Sequence, residues 1–379
     1  MIYIITYNYY DFTLNRVKIG GLETYIKDLA LLGKELNKKV LVLQIAKGRG
    51  LGRYIEVEGV CVQEFMAQKS LLKSLNQVAF NKIYKQYNND DSLFIIASDM
   101  MNISSKESNV ICIQHGIGFD IPGDMLGGFW KKFKITQHIN KFIRCLSNMY
   151  RFYRTRNTVC VDYNYYNWFR TLGTIYPGST MRVIPNYASK IISEEELNNK
   201  LEKKDKIKKI IFARRFVDYR GTLLFANVIK RVLNEYSDII VTFAGNGPLE
   251  SRLKEMFNHD KRVDFTSFSP IESVSFHYDY DIAVVPTIYS EGTSLSLCES
   301  MAAGCFPIAT HVGGITNLLF DGYNGFMVAP NEEDLYEALI TVLNLNTKEF
   351  NNIVKNAHSV VKDAFSVNKW KKEWTKIIG

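Results

Sequence analysis

The stretch SEGTSLSLCESMAAGCFPIAT, 290–310, decides how this chain is read. Glu291 and Glu299 stand eight positions apart, with Gly292 and the hydroxyl residues Thr293, Ser294 and Ser296 between them. The run before it, DIAVVPT, is continuously apolar, as a strand covered on both faces is. Residues 288–293 are then a loop at that strand's carboxyl end. A helix opening near Ser294 and closing at Gly304 suits the next segment, because Thr293 or Ser294 can cap it and glycine commonly succeeds a helix end. FPIAT reads as the next strand. Strand, loop, helix, strand is one parallel α/β unit.

The same alternation extends in both directions. Upstream of the quoted stretch, KIIFARR, IIVTFAGNG and RVDFTS read as strands, with helices around GTLLFANVIKRVLNEY and PLESRLKEMF; GFMVAP lies downstream. An earlier series runs MIYIITY, KVLVLQIA, SLFIIAS, NVICIQHG, NTVCVD and TMRVIPN, with GGLETYIKDLALLGKELNK as its first helix. The expected architecture is α/β, with two Rossmann-like domains facing each other across a cleft. The first domain is 1–185 and the second 186–355, of which 186–205 is charged, lacks a core pattern and reads as a linker. The tail, 356–379, reads as a C-terminal helix packing back toward the first domain. Ligands of such sheets sit outside the carboxyl ends of the strands, so the cleft is the expected site.

Composition narrows the class. The chain has 379 residues, 46% hydrophobic and 23% charged, which suits a globular protein of two domains and excludes disorder. MIYIITYNYYDF lacks a basic n-region and a small-residue cleavage site, and reads as a first strand rather than a signal peptide. No run is long and apolar enough for a membrane span. Six cysteines are scattered without ligand spacing, so free thiols and a cytoplasmic location are expected. The net charge is +8, and 122–156 holds eight basic residues against one acid, Asp124. Lys131, Lys132, Lys134 and Lys141 are interleaved there with Phe129, Trp130, Phe133 and Phe142. That stretch suits an anionic membrane surface, peripheral on the inner face. The alternative is a solvated helical hairpin with its aromatics inward. No nucleic-acid motif accompanies it, so nucleic acid is not expected as a partner.

The opening stretch has a chemical meaning. Free amides at the tip of the helix, its dipole, and the hydroxyls of Thr293, Ser294 and Ser296 make a phosphate site, with Gly292 letting the backbone come close. Glu299, one turn on, stands about 7 Å beyond, near the distance from a diphosphate to ribose hydroxyls, which a carboxylate accepts well. Glu291 serves the other end of the diphosphate. Arg214, Arg215 and Arg220 come after a strand at the same edge, and guanidinium groups suit phosphate oxygens. Gly245, Gly247 and Pro248 form a turn at a strand end where a base could pass, although a purely structural turn explains them equally well. A capped strand-loop-helix is likewise the plain alternative for 290–304.

Here the residues resemble a known family. SEGTSLSLCE resembles the E-x7-E motif of the retaining GT-B glycosyltransferases of family 4. KIGGLETYIKDLA, QHG, IPNYAS, ARRFVDYRG, AGNGPLESRLK, ESMAAGCFPIAT, VGGITNLLFDGYNGFMVAP and FSVNKWKKEW resemble its other segments, in family order. The resemblance implies the GT-B fold and a retaining transfer of sugar from a nucleotide-diphosphate donor to a glycan or lipid-linked acceptor, as in surface polysaccharide assembly. It implies that Glu291 touches the donor sugar, Glu299 the ribose, and Arg214 and Arg220 the diphosphate. Gly20 and Gly21 would let an N-domain loop approach the donor, His115 would sit by the reacting sugar, and Thr293, Ser294 and Leu295 would offer amides. Arg215, Thr293 and Asn317 depart from the family pattern. No metal or other cofactor is implied. Asp279 and Asp281 imitate a metal-binding DxD, but they precede a strand at its amino end and read as a strand-entry feature. A nucleotide-sugar 2-epimerase of the same architecture and an inactive membrane scaffold are the rival readings.

Overall fold

The computed structural model describes residues 1–18, 20–46, 52–66, 75–98, 101, 103–117, 120, 133–172, 179–202 and 208–379. The chain divides into two units, Met1–Ile184 with Lys371–Gly379, and Pro185–Trp370.

The first unit's strands are β1 Ile2–Thr6, β2 Tyr10–Asp11, β3 Arg16–Val17, β4 Val40–Ala46, β5 Tyr54–Val57, β6 Val60–Met66, β7 Leu93–Ile96, β8 Val110–Gln114, β9 Asn157–Cys160 and β10 Thr180–Val183. Eight of them form one sheet in the order β10-β9-β8-β7-β1-β4-β6-β5, and β2 pairs with β3 in a small hairpin. Every neighbouring pair of the large sheet is parallel except β5 with β6. The central strands β1 and β4 are buried at every residue, which is why they read as unbroken apolar runs. The helices are α1 Gly21–Glu35, α2 Leu75–Tyr87, α3 Lys134–Tyr153 and α4 Tyr163–Leu172. The β5–β6 hairpin was not among the expected strands. Its signal is the alternation of exposed and buried residues, closed by Glu58 and Gly59 at φ 48° and 75°, the positive pair that a tight hairpin turn requires.

The second unit holds β11 Lys208–Ala213, β12 Ile239–Ala244, β13 Val263–Thr266, β14 Ile282–Val285, β15 Phe306–Thr310 and β16 Phe326–Val328. They form one parallel sheet in the order β13-β12-β11-β14-β15-β16. Its helices are α5 Glu194–Glu202, α6 Thr222–Glu235, α7 Glu250–Met256, α8 Ser273–His277, α9 Leu295–Ala302, α10 Glu332–Asn344 and α11 Thr347–Ala364; α12, Val367–Ile378, ends the chain.

Three expectations need correction. The stretch 186–205 is not a bare linker. It carries α5, and Tyr187, Ala188, Ile192 and Leu197 are buried. Leu197 lies under Gly304, and Lys200 Nζ donates to Ala303 O at 2.8 Å, placing a cation on the carbonyl end of α9. Position 355 falls inside α11, so the second unit continues to Trp370 and only Lys371–Gly379 joins the first. There Trp374 is fully buried and donates to the Tyr25 hydroxyl at 2.8 Å. The inward-aromatic alternative for 122–156 fails over most of the described part, because Phe133, Phe142, Tyr150 and Tyr153 are exposed and only Phe152 of its described aromatics is buried. Phe129, Trp130, Lys131 and Lys132 lie outside the described residues.

Candidate active site

The second unit places β14 and its loop as the sequence suggests. Ser294 caps α9 with φ −72° and ψ 117°, its hydroxyl accepting from Leu297 N, and Gly304 takes φ 70° just beyond the helix. The first intrahelical bond runs from Cys298 N to Ser294 O, which leaves the amides of Leu295 and Ser296 ahead of it at the helix tip. The hydroxyls are a correction. Ser296 Oγ donates to Ala213 O at 3.0 Å, Ser294 serves its own cap, and Thr293 is buried. The two serine hydroxyls hold the fold here, leaving the tip's amides and dipole as the anion-attracting element.

Glu291 is gripped from two sides. Its Oε1 accepts from Arg214 at 2.6 Å and lies 2.7 Å from the Arg220 guanidinium, while its Oε2 accepts from Thr287 Oγ1 at 2.7 Å. Arg214 also donates to Thr287, closing a ring of three side chains. The side chains of Arg214 and Glu291 are 5% and 12% exposed, so the pair is largely out of water, whereas Arg220 at 30% is reachable. Burial pushes the Glu291 carboxyl up, but the two guanidiniums outweigh it and bring it down to about 2. Burial lowers the Arg214 guanidinium against the pull of Glu291. Two cations against one carboxylate leave the cluster net positive, which suits a further anion.

Backbone contacts lock these side chains in place. Arg214 comes directly after β11, and Gly245 and Gly247, at φ 154° and 156°, lie against that segment. A Cβ on Gly245 would fall 2.1 Å from Arg214 O, and one on Gly247 2.5 Å from Phe216 O. With Pro248, they form the turn that seats Arg214, a structural role the sequence left open. Gly221 presses on Pro286 O in the same way, and Ile288 N donates to Tyr219 O at 3.1 Å, tying the loop of Arg220 to that of Glu291. Arg215, unlike its neighbour, is exposed.

Glu299 stands on α9 without either arginine among its partners. Ser273 Oγ donates to its Oε2 at 2.7 Å, and burial pushes its carboxyl up to about 7 despite that bond. It is therefore part protonated at neutral pH, able to donate as well as accept. Sequence reasoning missed Thr287, Ser273, Gly313 and Gly314. Gly313, at φ 52°, backs onto Glu291, and Gly314 N donates to Glu291 O at 2.7 Å. The Gly-Gly pair in VGGITN was the available signal. Asn186 Nδ2 donates to Thr293 O at 2.6 Å, which gives the IPNYAS segment a part in holding this loop.

The remaining expected residues belong to the first unit. His115 lies just past β8, and its Nε2 is 2.8 Å from Ala97 O, which can only accept, so that nitrogen carries the proton. Its ring meets Tyr25 edge-on at 5.2 Å. Gly20 caps α1 in extended backbone, φ 175°, with the Glu23 carboxylate against it, and Gly21 opens the helix. A polar recess of about 250 Å³ opens around the carboxyl ends of β1 and β4, lined by Tyr10, Phe12, Gln44, Arg53 and Glu64 among others. Arg53 is held there by two 2.8 Å bonds to Glu64 and lies 4.5 Å over the Phe12 ring. Asp281 accepts from Lys209 N at 2.8 Å at the entry to β14, and no cluster of metal-ligating side chains occurs among the described residues.

Comparison with known proteins adds a family match over part of the chain. Residues 193–360 match the model described as Glycosyl transferases group 1. A lipopolysaccharide 1,2-N-acetylglucosaminetransferase of Salmonella typhimurium is 25% identical over 208 residues, 50% of this chain and 54% of that protein. The chain thus spans about half the length of that curated relative. A sucrose-phosphate synthase from Thermosynechococcus elongatus superposes with a TM-score of 0.72 at 15% identity, covering 100% of this chain and 98% of that one. An Anabaena protein solved in complex with UDP-glucose gives 0.69 at 16% identity, with 100% and 99% covered. At such identities the likeness is one of fold, and the fold is GT-B.

Proposed function

We propose, from the match of residues 193–360 to the Glycosyl transferases group 1 model, that the chain moves a sugar, with retention, from a nucleotide-diphosphate donor to a hydroxyl of a glycan or lipid-linked acceptor. The single observation that carries this is the net-positive cluster of Arg214, Arg220 and Glu291 beside the amino tip of α9. The diphosphate lies against the arginines and the amides, the sugar toward Glu291, and the ribose toward Glu299. In the reaction the bond from anomeric carbon to phosphate oxygen breaks, and its electron pair leaves on the diphosphate. The acceptor oxygen bonds to the same face of that carbon, and its proton passes to a departing phosphate oxygen. Arg214 and Arg220 stabilise the growing charge, each by a few kcal/mol, roughly what a preorganised donor supplies. Metal is not needed in this reading, because guanidiniums and amides do the neutralising. His115, with Nε2 bound to Ala97 O, is held in one orientation. The recess with Tyr10, Phe12 and Arg53 offers the aromatic and polar surfaces a saccharide acceptor takes.

The lipopolysaccharide relative supports a place in surface polysaccharide assembly, at the inner face of the cell membrane if the acceptor is lipid-linked. The test is a thermal-shift screen over UDP, GDP and their sugars. A nucleotide at about a hundred times its Kd stabilises by about 3 kcal/mol, which is readily seen. The shift is expected to vanish in Arg214→Ala and to survive in Arg215→Ala. A shift that persists without Arg214, or that is absent from the wild type for every nucleotide, overturns the assignment. Donor consumed without any acceptor would instead mark an epimerase.

A further inference from the structure

Helix α3, Lys134–Tyr153, is inside out. Its buried positions are Thr136, Asn148, Arg151 and Phe152, three of them polar. On its other side Ile135, Ile139, Phe142, Ile143, Leu146 and Tyr150 are between 46% and 66% exposed. At the helical period these six fall within an arc of about 100°, in a stripe about 22 Å long. A surface helix normally turns such a stripe to the core, and a contiguous exposed apolar patch marks an interaction surface. The orientation is fixed from within the first unit. Tyr165 Oη donates to Asn148 Oδ1 at 2.5 Å, and Phe152 packs on Tyr165 and Phe169 at ring distances of 5.0 and 6.0 Å. Rolling the stripe inward would break that bond and expose Phe152.

Charge decides what covers the stripe. The helix carries no acid; Lys134, Lys141 and Arg144 are exposed on it, Lys141 pairing with Asp120 at 2.5 Å, while Arg151 is buried. A second copy of the same helix would bring cations onto cations, whereas an anionic lipid surface complements them. Among the described residues no helix is long and apolar enough to cross a membrane. We infer that α3 docks this chain on an anionic lipid bilayer, lying in the interface with the Ile135-to-Tyr150 stripe among the acyl chains and Lys134, Lys141 and Arg144 at the headgroups. The biological purpose rests on the lipid-linked acceptor proposed above; the docking itself rests on the helix.

The experiment uses the full chain and vesicles of phosphatidylcholine with or without phosphatidylglycerol. The wild type is expected to sediment with the anionic vesicles, less so in high salt, and not with phosphatidylcholine alone. The double variant Phe142→Glu with Leu146→Glu should lower that partitioning at least about tenfold, since it places two charges where acyl chains lie. Both positions are exposed, so melting temperature and the nucleotide-induced shift should not change. Failure of the wild type to bind anionic vesicles, or equal binding by the double variant, overturns the inference. So does a concentration-dependent dimer, seen by light scattering, that the same double variant abolishes. The nucleotide shift reports the transferase reading separately, so either idea can fail while the other stands.

Discussion

Replacing Glu291 by glutamine tests the arginine cluster without changing its shape. In the structure the carboxylate faces Arg214 and Arg220 at 2.6 and 2.7 Å, and its acid form is displaced from the ordinary 4.5 to about 2. Burial acts against that displacement, so the guanidiniums supply more than the net difference. A gap of this size corresponds to about 3 kcal/mol in favour of the folded, ionised state. The unfolded chain takes up its proton as pH falls below the ordinary value, and the folded chain only near 2. This stabilisation is therefore complete at neutral pH and drains away in acid, to about 1 kcal/mol near pH 3. Glu291→Gln should then cost about 3 kcal/mol at pH 7 in the absence of ligand, because it leaves a buried guanidinium beside a like charge. The cost should shrink by more than half near pH 3. Urea denaturation of both proteins at the two pH values reads this directly. Ligand supplies a second measure: a diphosphate replaces the lost negative charge, so UDP or pyrophosphate should recover more stability in the variant than in the wild type. Equal stabilities at pH 7, or a gap that stays constant into acid, would refute the claim that Glu291 is the counter-ion of these arginines.

Glu299 carries the opposite sign. Burial holds its carboxyl up at about 7, so wild-type stability falls as pH rises from the ordinary carboxyl value toward 7. Glu299→Gln should accordingly gain up to about 3 kcal/mol over the wild type at pH 8 and nothing at pH 4, while weakening nucleotide binding; melts across that range and a nucleotide titration check both. Gly313 sits at φ 52°, and a Cβ there would lie 2.1 Å from Glu291 O. Gly313→Ala should therefore destabilise by about 2 kcal/mol or more and abolish the nucleotide shift, and a wild-type melting curve would show that the Gly-Gly pair does not seat Glu291.

Much of this was legible because the central strands β14 and β15 of the second sheet are short, buried throughout and bounded by turn residues, so DIAVVPT and FPIAT could be placed from sequence. The cap at Ser294 and the stop at Gly304 arise from local chemistry alone, and the helix occupies the span they define. Contacts between residues far apart in sequence were not legible. Arg214 and Glu291 are 77 positions apart, and nothing in either neighbourhood announces that they pair. The hydroxyls misled for a related reason. In sequence Ser296 is a donor near a helix tip, but folding brings Ala213 O within 3.0 Å and takes that donor for the backbone. The charged stretch after Pro185 misled because its four buried residues, Tyr187, Ala188, Ile192 and Leu197, are spread among lysines and glutamates at no single period.

These misses converge on one point about the site. Glu291 is held through its carboxylate by Arg214, Arg220 and Thr287, and through its carbonyl by Gly314. Arg214 is seated by Gly245, and the Arg220 loop is pinned by Gly221 on Pro286 and by Tyr219 on Ile288. The glycines thus work mainly by close approach of one backbone to another. They hold the backbone around a positive cluster in place, and a preformed cluster loses less on binding an anion than one that must first assemble. Arg220, the more exposed of the two cations, is the group with room to turn from the carboxylate to a phosphate oxygen, while Arg214 stays locked to Thr287. In the proposed reading, that turn would pass one guanidinium from a fixed carboxylate to an incoming diphosphate.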